Sequence, residues 1–193
     1  MRQRFVSNFV WEMPIGPGRK WLSSWQGKGM RGLGGQIIGG WNLTGIALLQ
    51  TGQRITPTFT GVDPSNTQTV GGRPDRIANG NLPKDQRTLS HWFDTSAFVV
   101  PPANAGRFGT AANGILEGPG AQVFSFGLFK NFFFKEHARF ELNINATNAF
   151  NHPNFTNPNA NISSPTSVGK ITSLQGMDVA GPRSVLLGAR IEF

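Results

Sequence analysis

The chain has 193 residues, 38% of them hydrophobic and only 15% charged, with 25 Gly, 13 Pro and no Cys. This composition excludes disulfides, thiolate metal sites and cysteine nucleophiles, and it favours strands and loops over helices. The net charge of +8 is scattered without a run of Lys or Arg, so it leaves no nucleic-acid footprint.

The N-terminus starts with a positive Met1-Arg-Gln-Arg, but Phe5 to Glu12 is interrupted by polar residues and has no cleavage site. A chain exported to an outer membrane would therefore be the C-terminal part of something longer. Residues 3–12 instead predict a strand, with Phe5, Phe9 and Trp11 on one face and Arg4, Asn8 and Glu12 on the other.

A Gly- and Trp-rich link, Met13 to Ile38, follows. Within it Gly27-Lys-Gly-Met-Arg-Gly32 matches G-x-G-x-x-G, but the Leu33-Gly-Gly that follows cannot start a helix. No acidic residue occurs between Glu12 and Asp63, so a dinucleotide site is not expected. Residues 39–51 predict a second strand, in which Trp41, Leu43, Ala47 and Leu49 alternate imperfectly with Asn42, Thr44 and Gln50.

Gly52 to Ala121 is a long polar link that Pro57, Pro64, Pro74, Pro83, Pro101 and Pro102 make unsuitable for a helix or a central strand. A short helical turn is expected near Lys84 to Trp92. His91 and Asp94 fall within reach of one another there, without a third ligand, and His137 and His152 likewise lack metal spacing.

Residues 122–130 predict a third strand, with Phe124, Phe126 and Leu128 opposed to Ser125 and Gly127. A compact link, Asn131 to His137, leads to the cleanest strand, residues 138–148. Ala138, Phe140, Leu142, Ile144 and Ala146 take one face there, and Arg139, Glu141, Asn143, Asn145 and Thr147 the other. A second long link, Ala149 to Arg183, precedes residues 184–193. On that last strand Val185, Leu187, Ala189, Ile191 and Phe193 share a face, with Leu186 the one exception on the other.

About 10 residues let a tilted strand cross a bilayer, and the apolar faces of the last three predicted strands tolerate lipid. No window reaches the ~18 apolar residues of a membrane-spanning helix, a test that barrel strands escape. Links alternate short and long, as periplasmic turns and extracellular loops do in outer-membrane barrels. With the chain end at the periplasmic side, the long links would be extracellular. Trp11, Trp21, Trp25 and Trp41, with Phe132, Phe133 and Phe134, would then lie at the periplasmic strand ends as an aromatic girdle, although Tyr is absent. No G-x-S-x-G elbow or paired carboxylates anchor a catalytic site, so an enzyme is not expected.

Three stretches carry a family resemblance. They are Arg73-Pro-Asp-Arg76 with Leu89-Ser-His-Trp-Phe-Asp-Thr-Ser-Ala-Phe98; Gly118-Pro-Gly120 leading to Leu128-Phe-Lys-Asn-Phe132; and Phe140 to Asn148 running into Ala149-Phe-Asn-His-Pro-Asn-Phe155, with Gly169-Lys-Ile-Thr172 and Pro182-Arg183. Together they resemble the C-terminal barrel region of TonB-dependent outer-membrane receptors, of the Oar-like group with a carboxypeptidase-regulatory-like domain.

The resemblance implies an antiparallel transmembrane β-barrel of which residues 1–193 form about five strands, without the plug domain. It further implies a place in the outer membrane and a part in uptake of a bulky nutrient such as a glycan product or metal chelate. The implied partners are outer-membrane lipid and lipopolysaccharide, the barrel-assembly machinery, and the TonB complex through an absent N-terminal region, with no cofactor. Val185, Leu187, Ala189, Ile191 and Phe193 would form the barrel-assembly signal. The alternative reading is a soluble all-β module that binds carbohydrate or another ligand.

Overall fold

A computed structural model describes residues 2–16, 19–22, 37–134, 138–176 and 180–193. Nine strands occur among them: β1 (Arg4–Glu12), β2 (Trp41–Gln50), β3 (Arg54–Ile55), β4 (Asp75–Arg76), β5 (Phe98–Val99), β6 (Leu116–Glu117), β7 (Ala121–Phe134), β8 (Ala138–Thr147) and β9 (Ser184–Glu192). The long strands form one antiparallel sheet in the order β1-β2-β7-β8-β9, which does not close. The short ones pair as β3 with β6 and β4 with β5.

The long strands match the five expected, with one extension. The third runs four residues past Lys130 to Phe134, so the expected compact link at Asn131 to His137 is mostly strand. Lys130 does not end the strand because its ammonium is satisfied locally: it donates to the Gly39 carbonyl and lies 5.7 Å from the Trp41 ring and 5.1 Å from the Phe132 ring.

Register fixes the faces. Leu128, Ile144 and Leu187 stand in one cross-strand row, and Phe132, Phe140 and Ile191 in another. Opposed residues of an antiparallel pair point to the same side, so the apolar positions of β7, β8 and β9 share one face. A Cβ at Gly127 would collide with Thr44 and Asn145, which puts Thr44 on the polar face and Trp41, Leu43 and Leu49 on the apolar one. A Cβ at Gly45 would fall within the Phe9 ring, so Phe9 joins that apolar face from β1.

Two compact units result. The sheet unit comprises Phe5–Leu49, Gln122–Pro153 and Ala180–Phe193; the other comprises Met1–Arg4, Gln50–Ala121 and Asn154–Val179. The second unit is therefore built from the two long links, which are not structureless. Thr58 pairs with Asn161, Trp92 donates its amide to the Gly169 carbonyl at 2.8 Å, and Ile171 donates to Leu89 at 2.7 Å. Ile55, Phe93, Ala97, Phe98, Ala111 and Leu116 form its buried core. The expected helical turn shrinks to a single 3-10 turn, Lys84–Gln86, and a tight bridge between Thr88 and His91 follows.

Candidate functional site

The residues singled out in the last strand lie in a continuous apolar row system. Val185 opposes Ala146, Leu187 opposes Ile144, Ala189 opposes Leu142 and Ile191 opposes Phe140; Phe193 lies just beyond β9. Nothing in the described residues covers this face: Val185, Leu187 and Ile191 are 57%, 69% and 67% exposed. Each such side chain forgoes about 1.5–3 kcal/mol in water relative to full burial. An apolar solvent removes that penalty.

Aromatic residues mark both ends of the face. At the turn end Phe132 and Phe140 lie 5.8 Å apart beside Trp41 and Lys130. At the link end Phe150 meets Phe124 and Phe126 edge-on, at 5.3 and 6.0 Å. This second cluster was not anticipated, because Phe150 lies outside any strand and only the turn after β8 brings it back. From Phe124 to Phe132 the strand rises about 27 Å at ~3.4 Å per residue, or about 20 Å of height at ~40° tilt. That span fits the apolar band of a barrel wall, about 25 Å tall. Trp25, His137 and the Gly27 to Gly32 motif lie outside the described residues.

The opposite face carries charge near the turn end. Arg139 pairs with Glu192 at 2.6 Å across the β8–β9 ladder, and Arg190 reaches the same carboxylate at 2.9 Å. Glu141 opposes Arg190 and Asn131 in register. The face is not uniformly polar, since Val6, Val10, Ile46 and Leu186 lie on it and are exposed.

The family-like motifs prove to be structural. Asp75 accepts both terminal nitrogens of Arg107 at 2.7 Å and the Thr110 amide at 3.1 Å. The Arg107 guanidinium, with help from the Thr110 amide, holds the Asp75 carboxyl below its usual range. Trp92, Phe93 and Phe98 belong to the loop core, and the Asp94 carboxylate caps the Thr95–Ala97 turn through the Ser96 amide and hydroxyl. Asp94 is thereby committed to capping rather than to His91.

Gly52, Gly118 and Gly120 are small for steric reasons: a Cβ on them would strike Gly118 O, Asn157 Oδ1 and Gln50 O respectively. Buried Asn148 sits at φ +47° and clamps the turn after β8. Its Nδ2 donates to His152 O and Gly181 O at 2.9 and 2.8 Å, and its Oδ1 accepts from the His152 amide at 3.1 Å. Asn151 accepts the Arg183 amide at 3.1 Å, which ties in Pro182-Arg183.

The loop unit also holds two clefts that sequence reasoning missed. One, of about 430 Å³, is lined by residues of 50–52 and 117–120 with Lys84, Arg87 and Trp92. The other, of about 320 Å³, is lined by Gln50, Gln53, Pro119, Thr156, Asn157, Gln175 and Gly176. In the first, Arg87 stacks 5.7 Å from the Trp92 ring and lies 3.5 Å from Glu117, while Trp92 Nε1 donates to Glu117 O at 2.8 Å. These residues are far apart in sequence and have no shared period, so no local signal could join them.

An antiparallel sheet with one uncovered apolar face, bounded at both ends by aromatic rings, defines a wall segment of a transmembrane β-barrel. Comparison with protein families agrees: the family described as "Outer membrane beta barrel domain" matches residues 1–185. The chain belongs to that family, and it is a protein of the outer membrane. Comparisons with the curated proteins and with the solved structures found no match.

Proposed function

We propose that the chain forms part of the barrel of a TonB-dependent receptor that imports a bulky nutrient across the outer membrane, and that it is not an enzyme. The observation that carries this reading is that the two long links fold together into a unit with its own core, from Ile55 through Phe93 to Leu116. An ordered surface of this kind suits a receptor, which must hold a ligand too large to diffuse. The order of the motifs around Asp75, Gly118 and Asn148 supports the same family reading.

In this reading the apolar face contacts lipid, and lipopolysaccharide meets the ends that carry the links. Val185, Leu187, Ala189, Ile191 and Phe193 form the strand read by the barrel-assembly machinery. The TonB complex acts through a region outside residues 1–193. The direct test takes the full-length product of the locus in outer membranes and asks whether it captures the periplasmic domain of TonB. Capture is the expected result; an inserted, folded barrel that never engages TonB overturns the receptor reading.

A further inference from the structure

We propose that the cleft beside Arg87 binds an organic monocarboxylate, a ligand with a single negative charge. The cleft is built by the loop unit alone, so the inference goes beyond the receptor reading above and does not rest on it. Its walls come from residues 50–52 and 117–120 with Lys84, Arg87 and Trp92. The charged groups among them are Lys84, Arg87 and Glu117, two cations against one carboxylate. Asp85 follows Lys84 in the chain but does not line the cleft.

Arg87 is held in place with binding capacity left over. Its Nε donates to Leu82 O at 2.9 Å, and its guanidinium lies 5.7 Å from the centre of the Trp92 ring. The side chain is largely buried, so little rotamer freedom remains to be lost on binding. Its contact with Glu117 is single and long, at 3.5 Å, whereas Arg107 in the same unit grips Asp75 through two bonds of 2.7 Å. A guanidinium fully engaged by a carboxylate closes to about 2.7–2.9 Å. Arg87 thus keeps donors for a second carboxylate. Lys84, exposed at the rim, makes no ion pair or hydrogen bond among the described residues.

Charge sets the ligand class. One negative charge balances the excess of one cation, and a second would meet Glu117 with nothing to offset it. Phosphate monoesters and polyanionic chelates are disfavoured on that count. A cation is repelled by Lys84 and Arg87, and a neutral ligand leaves the excess positive charge unanswered. The volume of about 430 Å³ is that of a small-molecule pocket rather than of a lone inorganic ion, so the carboxylate arrives on an organic body.

The test is calorimetric titration of the full-length product of the locus, purified in a non-ionic detergent at pH 7 and low salt. The probes are benzoate, its neutral isostere benzamide and the dianion phenylphosphate. Benzoate should bind more tightly than either analogue. Lys84→Gln should weaken benzoate at least about threefold, and Arg87→Gln at least about tenfold. Glu117→Gln should instead raise the affinity for phenylphosphate at least about threefold, which a purely structural Glu117 would not do. Unchanged heat-modifiable mobility on gels shows that the variants still fold, and exposed Lys84 carries the test should Arg87→Gln fail to. Benzamide bound as well as benzoate, phenylphosphate bound more tightly than benzoate, affinities indifferent to Lys84→Gln and Glu117→Gln, or no binding at all overturns the proposal. A protein that captures TonB yet binds no benzoate loses this site and keeps the receptor reading.

Discussion

Three side chains bear weight out of proportion to their size. Asn148 combines a left-handed backbone with three hydrogen bonds at 1% exposure. Asn148→Gly keeps the conformation but strips the bonds, at a cost of about 2–3 kcal/mol, and Asn148→Ala adds about 1–2 kcal/mol of backbone strain. The urea midpoint in lipid vesicles should therefore fall in the order wild type, Gly, Ala. Lys130 is the one cation on the apolar face of β7. Lys130→Met strands the Gly39 carbonyl, costing about 1–3 kcal/mol, against about 0–1 kcal/mol recovered by removing a charge near the interface. The net loss should lower the temperature at which the folded band converts on gels. Asp75 sets a pH dependence. Its folded pKa lies below the ordinary 3.8, so the Arg107 pair stabilises fully above that value and is lost as pH falls through the folded pKa. As pH falls below 3.8 towards the folded pKa the loop unit should loosen, read as proteolysis within residues 101–110, and Asp75→Asn should show that susceptibility already at pH 7.

At the scale of elements, strands were legible and links were not, for a physical reason. A wall strand has solvents of opposite polarity on its two sides, which writes a period of two into residues 138–147 and 184–192. The loop core has no such period, because Phe59, Phe93, Phe98 and Leu116 come from irregular backbone and converge only in three dimensions. The third strand runs past its expected end at Lys130 to Phe134, where the Lys130 ammonium meets the Gly39 carbonyl from a segment 91 residues away, a contact that no local pattern shows. The clefts were invisible too, since Gln50 and Asn157 meet only after both links fold. Within the sheet, Gly45 carries the Phe9 ring in place of a side chain. Gly45→Val should weaken the β1–β2 pairing, and Phe9→Ala should relieve it. A double-mutant cycle on unfolding free energy should give a coupling of about 1 kcal/mol or more, and strict additivity would remove this account.

For the molecule as a whole, the sheet is a wall with two free edges, β1 and β9, and such edges seek partners. Full-length product recovered from cells should stay with the outer membrane through salt and carbonate washes and be released only by detergent. The strand count sets a further rule. In an antiparallel sheet of five, β1, β7 and β9 all run the same way, so both edges have the same polarity. A wall that is antiparallel all round has an even number of strands. Whatever closes this one must then supply an odd number, beginning and ending with strands that run against β1 and β9. Further copies of this chain, inserted in the same direction, cannot do so, because every seam between them would be parallel. Cysteines placed at Asn8 and Gly188 test the rule: they should not crosslink copy to copy in the membrane, and a closed ring of identical chains would break it. Parity, read from five strands, thus constrains the strands outside them.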